Sequence, residues 1–436
     1  MRMQDARGVV PVLMVASLAT AGWCQDPRTP SLLPAWGSAG VAPATAVGDS
    51  QWYGGDISPV PPVQYTQTGS VGSGVSGLAD QYDAAMKGGY EGVCTTCSSG
   101  SCRNHYVYAS GLAMTHVKQG GFVAGVDSTT FDAELFFCQR EFNNLWKGGF
   151  ELGTGWCFGS DNRAGIELVY WGLYPGTDSA LVRGNLDSTI DFGDLDYNGT
   201  NANTFVTGAD VMEVQWRYAF HSAEINLFGN GACGGPLGCG MTGCCLGNSG
   251  SPWGFGWVGG FRYIHLNEAF LFRADTTDAV FNGDPTELNY RMQLNNNLFG
   301  FQLGGGISYC VTQRLTTYAI AKFGVYDNRV SQFQTVYGTQ GTATVNNGPN
   351  TNQPFIVRST DDVLAGAGQF DLGGRWAVND RWSVNFGYRV MALAGVAISE
   401  TNAVRSGFQN LEGIASQQTT GSFILHGGYL GATYAW

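Results

Sequence analysis

Arg381-Trp-Ser-Val-Asn-Phe-Gly-Tyr-Arg-Val390 alternates without a break. Trp382, Val384, Phe386, Tyr388 and Val390 are apolar or aromatic, while Arg381, Ser383, Asn385, Gly387 and Arg389 are polar or small. Successive side chains of an extended chain point to opposite faces, so this segment is a strand with one greasy side. The same period recurs. Phe299, Phe301, Leu303, Ile307 and Tyr309 alternate with Gln302, Gly304, Gly306, Ser308 and Cys310, and Met212, Val214, Trp216, Tyr218 and Phe220 alternate with Glu213, Gln215 and Arg217. A soluble sandwich and a membrane barrel share this period, so it establishes the all-β class alone.

Composition narrows the choice. Of 436 residues only 13% are charged, as many as are aromatic, against 44% hydrophobic. An ordinary soluble domain is about a quarter charged. The 65 glycines make helices scarce, since Gly is unfavourable inside one. Mean hydropathy is -0.07, and after the first two dozen residues no stretch approaches the ~20 apolar residues of a spanning helix. A polytopic helical membrane protein is thereby excluded. The wealth of aromatics speaks against a disordered chain. A net charge of -12 argues against nucleic acid as a partner, because phosphates demand clustered Lys and Arg.

Residues 1–21 read as a secretory signal peptide. Arg2 and Arg7 bracket a basic start, Val9–Ala21 is an apolar run too short to anchor, and Ala19-Thr20-Ala21 offers a small-x-small cleavage site. Residues 22–130 are rich in Gly, Pro and Ser and lack sustained alternation, which suggests a periplasmic segment, linker or plug. Eleven cysteines in an exported chain imply oxidising surroundings. Cys94, Cys97 and Cys102, with Cys233, Cys239, Cys244 and Cys245, are the disulfide candidates. Cys94-x-x-Cys97 also suits zinc, but no second C-x-x-C completes a four-ligand set, so no metal is expected.

Connection lengths separate barrel from sandwich. Strands are predicted near 131–140, 149–158, 163–174, 204–219, 221–229, 253–265, 268–274, 287–310, 314–327, 360–378, 381–397 and 421–436. Tight joints at Ser160-Asp-Asn162, Phe220, Asn267, Val311-Thr-Gln-Arg314 and Asn379-Asp380 interleave with long ones at 175–203, 230–252, 275–286, 328–359 and 398–420. Short and long connections alternate in this way in transmembrane barrels. The expectation is an antiparallel transmembrane β-barrel of about twelve strands over 131–436.

Ile424, Gly428, Leu430, Ala432, Tyr434 and Trp436 share one face of the last strand. This terminal strand resembles those of outer-membrane barrels, which implies that Tyr434 and Trp436 are an assembly signal for the barrel-assembly machinery. Phe131-Asp-Ala-Glu134-Leu-Phe-Phe137, His221-Ser-Ala-Glu-Ile-Asn226, Gly260-Phe-Arg-Tyr263 with Asn267-Glu268, and Asn297-Leu-Phe-Gly-Phe-Gln302 together resemble the β-barrel porins of bacterial outer membranes, the seventh family so numbered. That resemblance implies an integral outer-membrane location and lipid as a partner; it says little of what crosses.

If apolar positions face lipid, their alternates face the lumen. The candidates are Asp132, Glu134, Glu213, Arg217, Glu224, Arg262, Lys322, Asp371, Arg375 and Arg389. Charges of both signs in a narrow space should pair. They form either a polar pore for passive diffusion of small solutes or a salt-bridged filling of a barrel that acts as a structural or adhesive anchor. Trp253, Phe255, Trp257, Trp376, Trp382, Tyr388, Tyr434 and Trp436 could form interfacial girdles, although a sandwich core or a sugar-stacking platform would also use aromatics. No GxSxG, HExxH or phosphate-cradling motif appears, and His221-Ser222 point to opposite faces of a strand, so neither catalysis nor a cofactor is expected.

Overall fold

The alternating segments are longer than the sequence suggests, and several predicted pairs are single strands. The computed structural model describes residues 104–117, 121–137, 146–158, 164–230, 252–312 and 314–436. Ten antiparallel strands close a barrel: β1 (His105–Val117), β2 (Trp146–Phe158), β3 (Ala164–Ser188), β4 (Ala209–Asn230), β5 (Trp253–Asp275), β6 (Leu288–Cys310), β7 (Leu315–Gly338), β8 (Ile356–Ala377), β9 (Trp382–Val396) and β10 (Gly421–Ala435). Each pairs with its chain neighbour, and β1 pairs with β10 from Tyr106↔Ala435 to Val117↔Ile424.

Three further strands join this sheet outside the wall. Phe122–Asp127 and Ala133–Phe137 form a hairpin that joins the far end of β3 through Gly125↔Ser188, and Gly341–Thr342 pairs with β7. Leu195–Tyr197, Thr200–Asn201 and Thr344–Val345 make a separate small sheet. The joint between β9 and β10 carries two short helices, α1 (Ser399–Asn402) and α2 (Leu411–Ala415).

Ten strands replace the expected twelve. Phe220 and Asn267 are not joints but interior positions of β4 and β5, which run 22 and 23 residues. The barrel begins at His105, ahead of the expected Phe131, and the predicted strand 131–140 is the off-wall Ala133–Phe137. Residues 1–103 lie outside the described residues, and with them the signal peptide and most of the N-terminal segment. So do all seven disulfide candidates, Cys94, Cys97, Cys102, Cys233, Cys239, Cys244 and Cys245.

The proximal rim carries His105 and Trp436, together with the short joints 311–314 and 378–381. β4 also ends, at Asn230, and β5 starts, at Trp253, at this rim. At the distal rim stand the end of β1, the start of β2, and the joints 189–208, 276–287, 339–355 and 397–420.

The two faces of the wall exchange polarity midway. In the proximal half of β4, Ser222, Glu224 and Asn226 point inward and Ile225 and Leu227 outward; in its distal half Met212, Val214, Trp216, Tyr218 and Phe220 point inward and Gln215 and Arg217 outward. β5 repeats the pattern, with Trp253, Phe255, Trp257, Phe261 and Tyr263 outward below and Ile264, Leu266, Phe270 and Phe272 inward above. In β6 the exchange falls between Leu298 and Phe299. A register row marks the level: His221↔His265, His265↔Asn297 and Asn297↔Arg329. Proximal to it lies an outward apolar belt, and distal to it the barrel encloses an apolar core like that of a soluble protein.

Candidate functional site

The proximal lumen is lined by charges that meet across the bore. Glu224 of β4 is the centre of one group. Lys322 Nζ of β7 lies 2.8 Å from its Oε2 and Arg262 Nε of β5 3.4 Å from its Oε1. Gln302 Nε2 donates to both Glu224 Oε2 (2.7 Å) and Asn226 Oδ1 (2.8 Å), and Arg262 Nε also donates to Ser222 Oγ (2.9 Å). Arg389 of β9 forms the second group. Its Nε donates to Asp371 Oδ1 at 2.6 Å, its Nη1 pairs with Glu151 of β2, and its guanidinium stands 5.2 Å from the Trp171 ring of β3. Lys147 pairs with Asp178 at 2.8 Å, and Tyr106 Oη donates to Glu167 Oε2 at 2.5 Å.

Between these groups is a cavity of about 100 Å³, edged by Glu151, Glu167, Lys322, Arg375, Arg389 and a set of tyrosines. That is room for a few waters. Trp171, fully buried, sits above it with its ring against Phe220 (4.6 Å).

Above Trp171 the bore is filled by the chain itself. The β9–β10 joint turns inward over the opening. Asn296 of β6 donates to the Ala397 carbonyl (2.8 Å) and accepts its N–H (2.8 Å), and Gln334 of β7 donates to the Asn402 carbonyl (3.2 Å). Glu268 of β5 holds Ser399, and Tyr290 Oη accepts the Val404 N–H at 2.9 Å. Phe408, wholly buried, packs its ring on Phe192, Tyr290 and Phe355 at 5.0–5.6 Å. Phe137 of the off-wall hairpin comes within 4.8 Å of Phe270. These inturned segments explain why β4 to β7 carry apolar residues inward at this level: here the lumen is a hydrophobic core.

Of the predicted lumen charges, Glu224, Arg262, Lys322, Asp371, Arg375 and Arg389 face inward, Arg375 through a bond from its Nε to Asn385 Oδ1 (3.1 Å). Glu213 and Arg217 do not. Both are on the distal half of β4, where the apolar set points inward; Glu213 meets Arg273 on the outer wall at 3.4 Å and Arg217 is exposed. Glu134 is exposed on the off-wall hairpin, and Asp132 stands in its turn. Lys147, Glu151 and Glu167 also face inward, and their alternation with Trp146, Leu152, Trp156, Ile166 and Leu168 is a sequence signal for it; the register shift between Leu173 and Gly176 leaves Asp178 without such a signal.

His221 and Ser222 point to opposite faces. Ser222 accepts from Arg262 inside, and His221 meets Tyr170 Oη at 2.8 Å outside. The girdle aromatics lie outward in two bands. At the proximal rim Tyr434 stacks on Trp436 (5.8 Å) and meets the tilted ring of Trp382 (4.9 Å). At the exchange level Tyr170, Tyr263 and Tyr388 bond His221, Asn297 and His426.

No family profile matches the chain, and no curated protein does. Among solved structures it is similar to the outer membrane protease OmpT from Escherichia coli, at 10% identity and a TM-score of 0.36, over 78% of this chain and 100% of that one. A TodX deletion mutant, described as a monoaromatic hydrocarbon channel, is 10% identical with a TM-score of 0.31, over 81% and 94% of the two chains. A major outer membrane protein from Thermus thermophilus is 9% identical with a TM-score of 0.28, over 76% and 99%. At these scores neither residue roles nor activity carries over.

Proposed function

We propose that this chain is an integral outer-membrane barrel that does not conduct, and that anchors the folded assembly standing on its distal rim. The membrane half is the proximal one. Its outward belt runs roughly eleven residues along β5 and β6, matching the 9–11 residues with which a tilted strand crosses the hydrocarbon, and it is bounded by two aromatic bands as in other membrane barrels. Lipid and the barrel-assembly machinery are the partners this reading includes, with Tyr434 and Trp436 as the assembly signal. Catalysis and cofactors form no part of it.

The observation that carries the reading is the inturned segment 397–420, which fills the bore above a lumen whose charges are already paired. A free channel would expose those charges to a water column; here they have each other. Kinship with the numbered porin family belongs to the same proposal. It is supported by the placement of its motifs, since His221–Asn226, Gly260–Tyr263 and Asn297–Gln302 lie side by side on β4, β5 and β6 at the polarity exchange.

The second reading, a passive-diffusion channel, is favoured by the polar cavity between Glu167 and Arg389. Planar-bilayer recording of the full-length folded protein separates the two. A flat baseline is expected, and reproducible single-channel steps would establish the pore instead.

A further inference from the structure

The joint between β5 and β6 carries carboxylates that neither the lumen nor the belt employs. Asp275 ends β5, and Asp278 and Asp284 follow in the loop; one carboxylate oxygen from each lies within 4.8 Å of the other two. An acidic group on a surface loop is commonplace, but Asp275 is not on the surface. It is wholly buried. Its Oδ1 accepts from Thr277 N (3.0 Å), Thr277 Oγ1 (3.1 Å) and Thr286 Oγ1 (3.1 Å). Its Oδ2 is buried too, and no donor among the described residues reaches it.

The cation beside it is engaged elsewhere. Arg273 directs its guanidinium to Glu213 (3.4 Å) and Glu287 (3.6 Å) and lies over the Phe281 ring at 4.0 Å. A buried carboxylate oxygen with no donor among the described residues is a costly arrangement, and two further carboxylates close by raise the cost. A bound cation removes it.

We infer that Asp275, Asp278 and Asp284 form a calcium-binding site. The donor set is all oxygen, which selects a hard cation over zinc or copper. Ca²⁺ takes 6–8 oxygens in irregular geometry, whereas Mg²⁺ demands a near-ideal octahedron. A loop supplying three carboxylates fits the larger ion. Asn282 Nδ2 donates to Asp278 Oδ2 (3.0 Å) and so holds that carboxylate in place.

The loop is built to hold such a shape. Gly283, at a φ of +88°, donates its N–H to Glu287 Oε1 at 2.6 Å. Neighbouring segments grip it as well: Thr339 Oγ1 donates to the Asp284 carbonyl (3.2 Å) and Arg183 Nε to the Ala279 carbonyl (3.1 Å). Calcium there would tie the β5–β6 joint to β3 and to the segment after β7, stiffening the distal assembly. The site stands whether or not the barrel conducts.

Equilibrium dialysis of the full-length, chelator-stripped protein in detergent against radioactive calcium tests this. Wild type should bind one more ion per chain than Asp284→Asn, with a dissociation constant of about 10⁻⁴–10⁻³ M as in extracellular modules, and Mg²⁺ at equal concentration should not displace it. Asp284 is half-exposed, so its variant keeps the fold even if Asp275→Asn does not. Equal binding by wild type and Asp284→Asn would overturn the site, and displacement by equimolar Mg²⁺ would overturn the choice of calcium.

Discussion

Ser399 donates both its backbone N–H (2.7 Å) and its hydroxyl (3.0 Å) to one oxygen of Glu268, Oε2, inside the barrel. A joint between two strands is thereby fastened to the opposite wall, and the opening that a wider barrel would leave is taken up by α1.

Removing either partner should loosen this cap by different amounts. Ser399→Ala deletes one of two bonds and should cost about 1 kcal/mol, whereas Glu268→Ala strands a buried N–H and should cost about 2–3 kcal/mol. Urea unfolding in lipid vesicles gives the ordering, and limited proteolysis should show earlier cleavage within 397–420 for Glu268→Ala. Equal effects would mean that the cap is held by its apolar residues alone.

Glu224 should be the most sensitive position of the lumen. Its replacement by Gln leaves Arg262 and Lys322 buried without their counter-charge, for which about 3–5 kcal/mol of destabilisation is expected. Lys322→Met added to Glu224→Gln should restore part of the loss. A double-mutant cycle reads this coupling directly; strictly additive losses would show that the pair does not interact.

The sequence made the strands legible but hid where they end, and both errors have one cause. In β4 the apolar residues occupy even positions up to Phe220 and odd positions from Ile225; in β5 they are odd up to Tyr263 and even from Ile264. A parity switch resembles a turn, and so one strand has the sequence pattern of two. The same switch puts Glu213 and Arg217 on the outer face, because outward positions are the apolar ones only proximal to the exchange. Glu224, Arg262, Lys322, Asp371 and Arg389 lie proximal to it, on the inward face. Nothing local could reveal the inturned joint, whose partners Asn296 and Glu268 stand 101 and 131 residues away in sequence.

Asp191 in the β3–β4 joint gives the distal assembly an acid limit. Hydrogen bonds from the Asn203 amide and the Gly193 N–H hold its carboxyl below the ordinary carboxylate range. A depressed folded pKa contributes stability that is complete above the unfolded value of about 3.9 and is lost as pH falls through the folded one. Hydrogen-exchange protection factors in 189–208, corrected for the intrinsic pH dependence of exchange, should therefore hold steady from neutrality to about pH 4 and fall below it, and Asp191→Asn should flatten the response. The effect is small, since the group is mostly in water.

The account rests on the polarity exchange as the membrane boundary, and one pair of substitutions tests it most directly. Leu303 and Gln293 both point outward on β6, Leu303 in the belt and Gln293 beyond the exchange. Vesicle-refolding free energies should show Leu303→Arg destabilised by about 2–4 kcal/mol, as for a lipid-facing charge near the midplane, and Gln293→Arg unchanged within about 0.5 kcal/mol. Equal free energies for the two variants would contradict it.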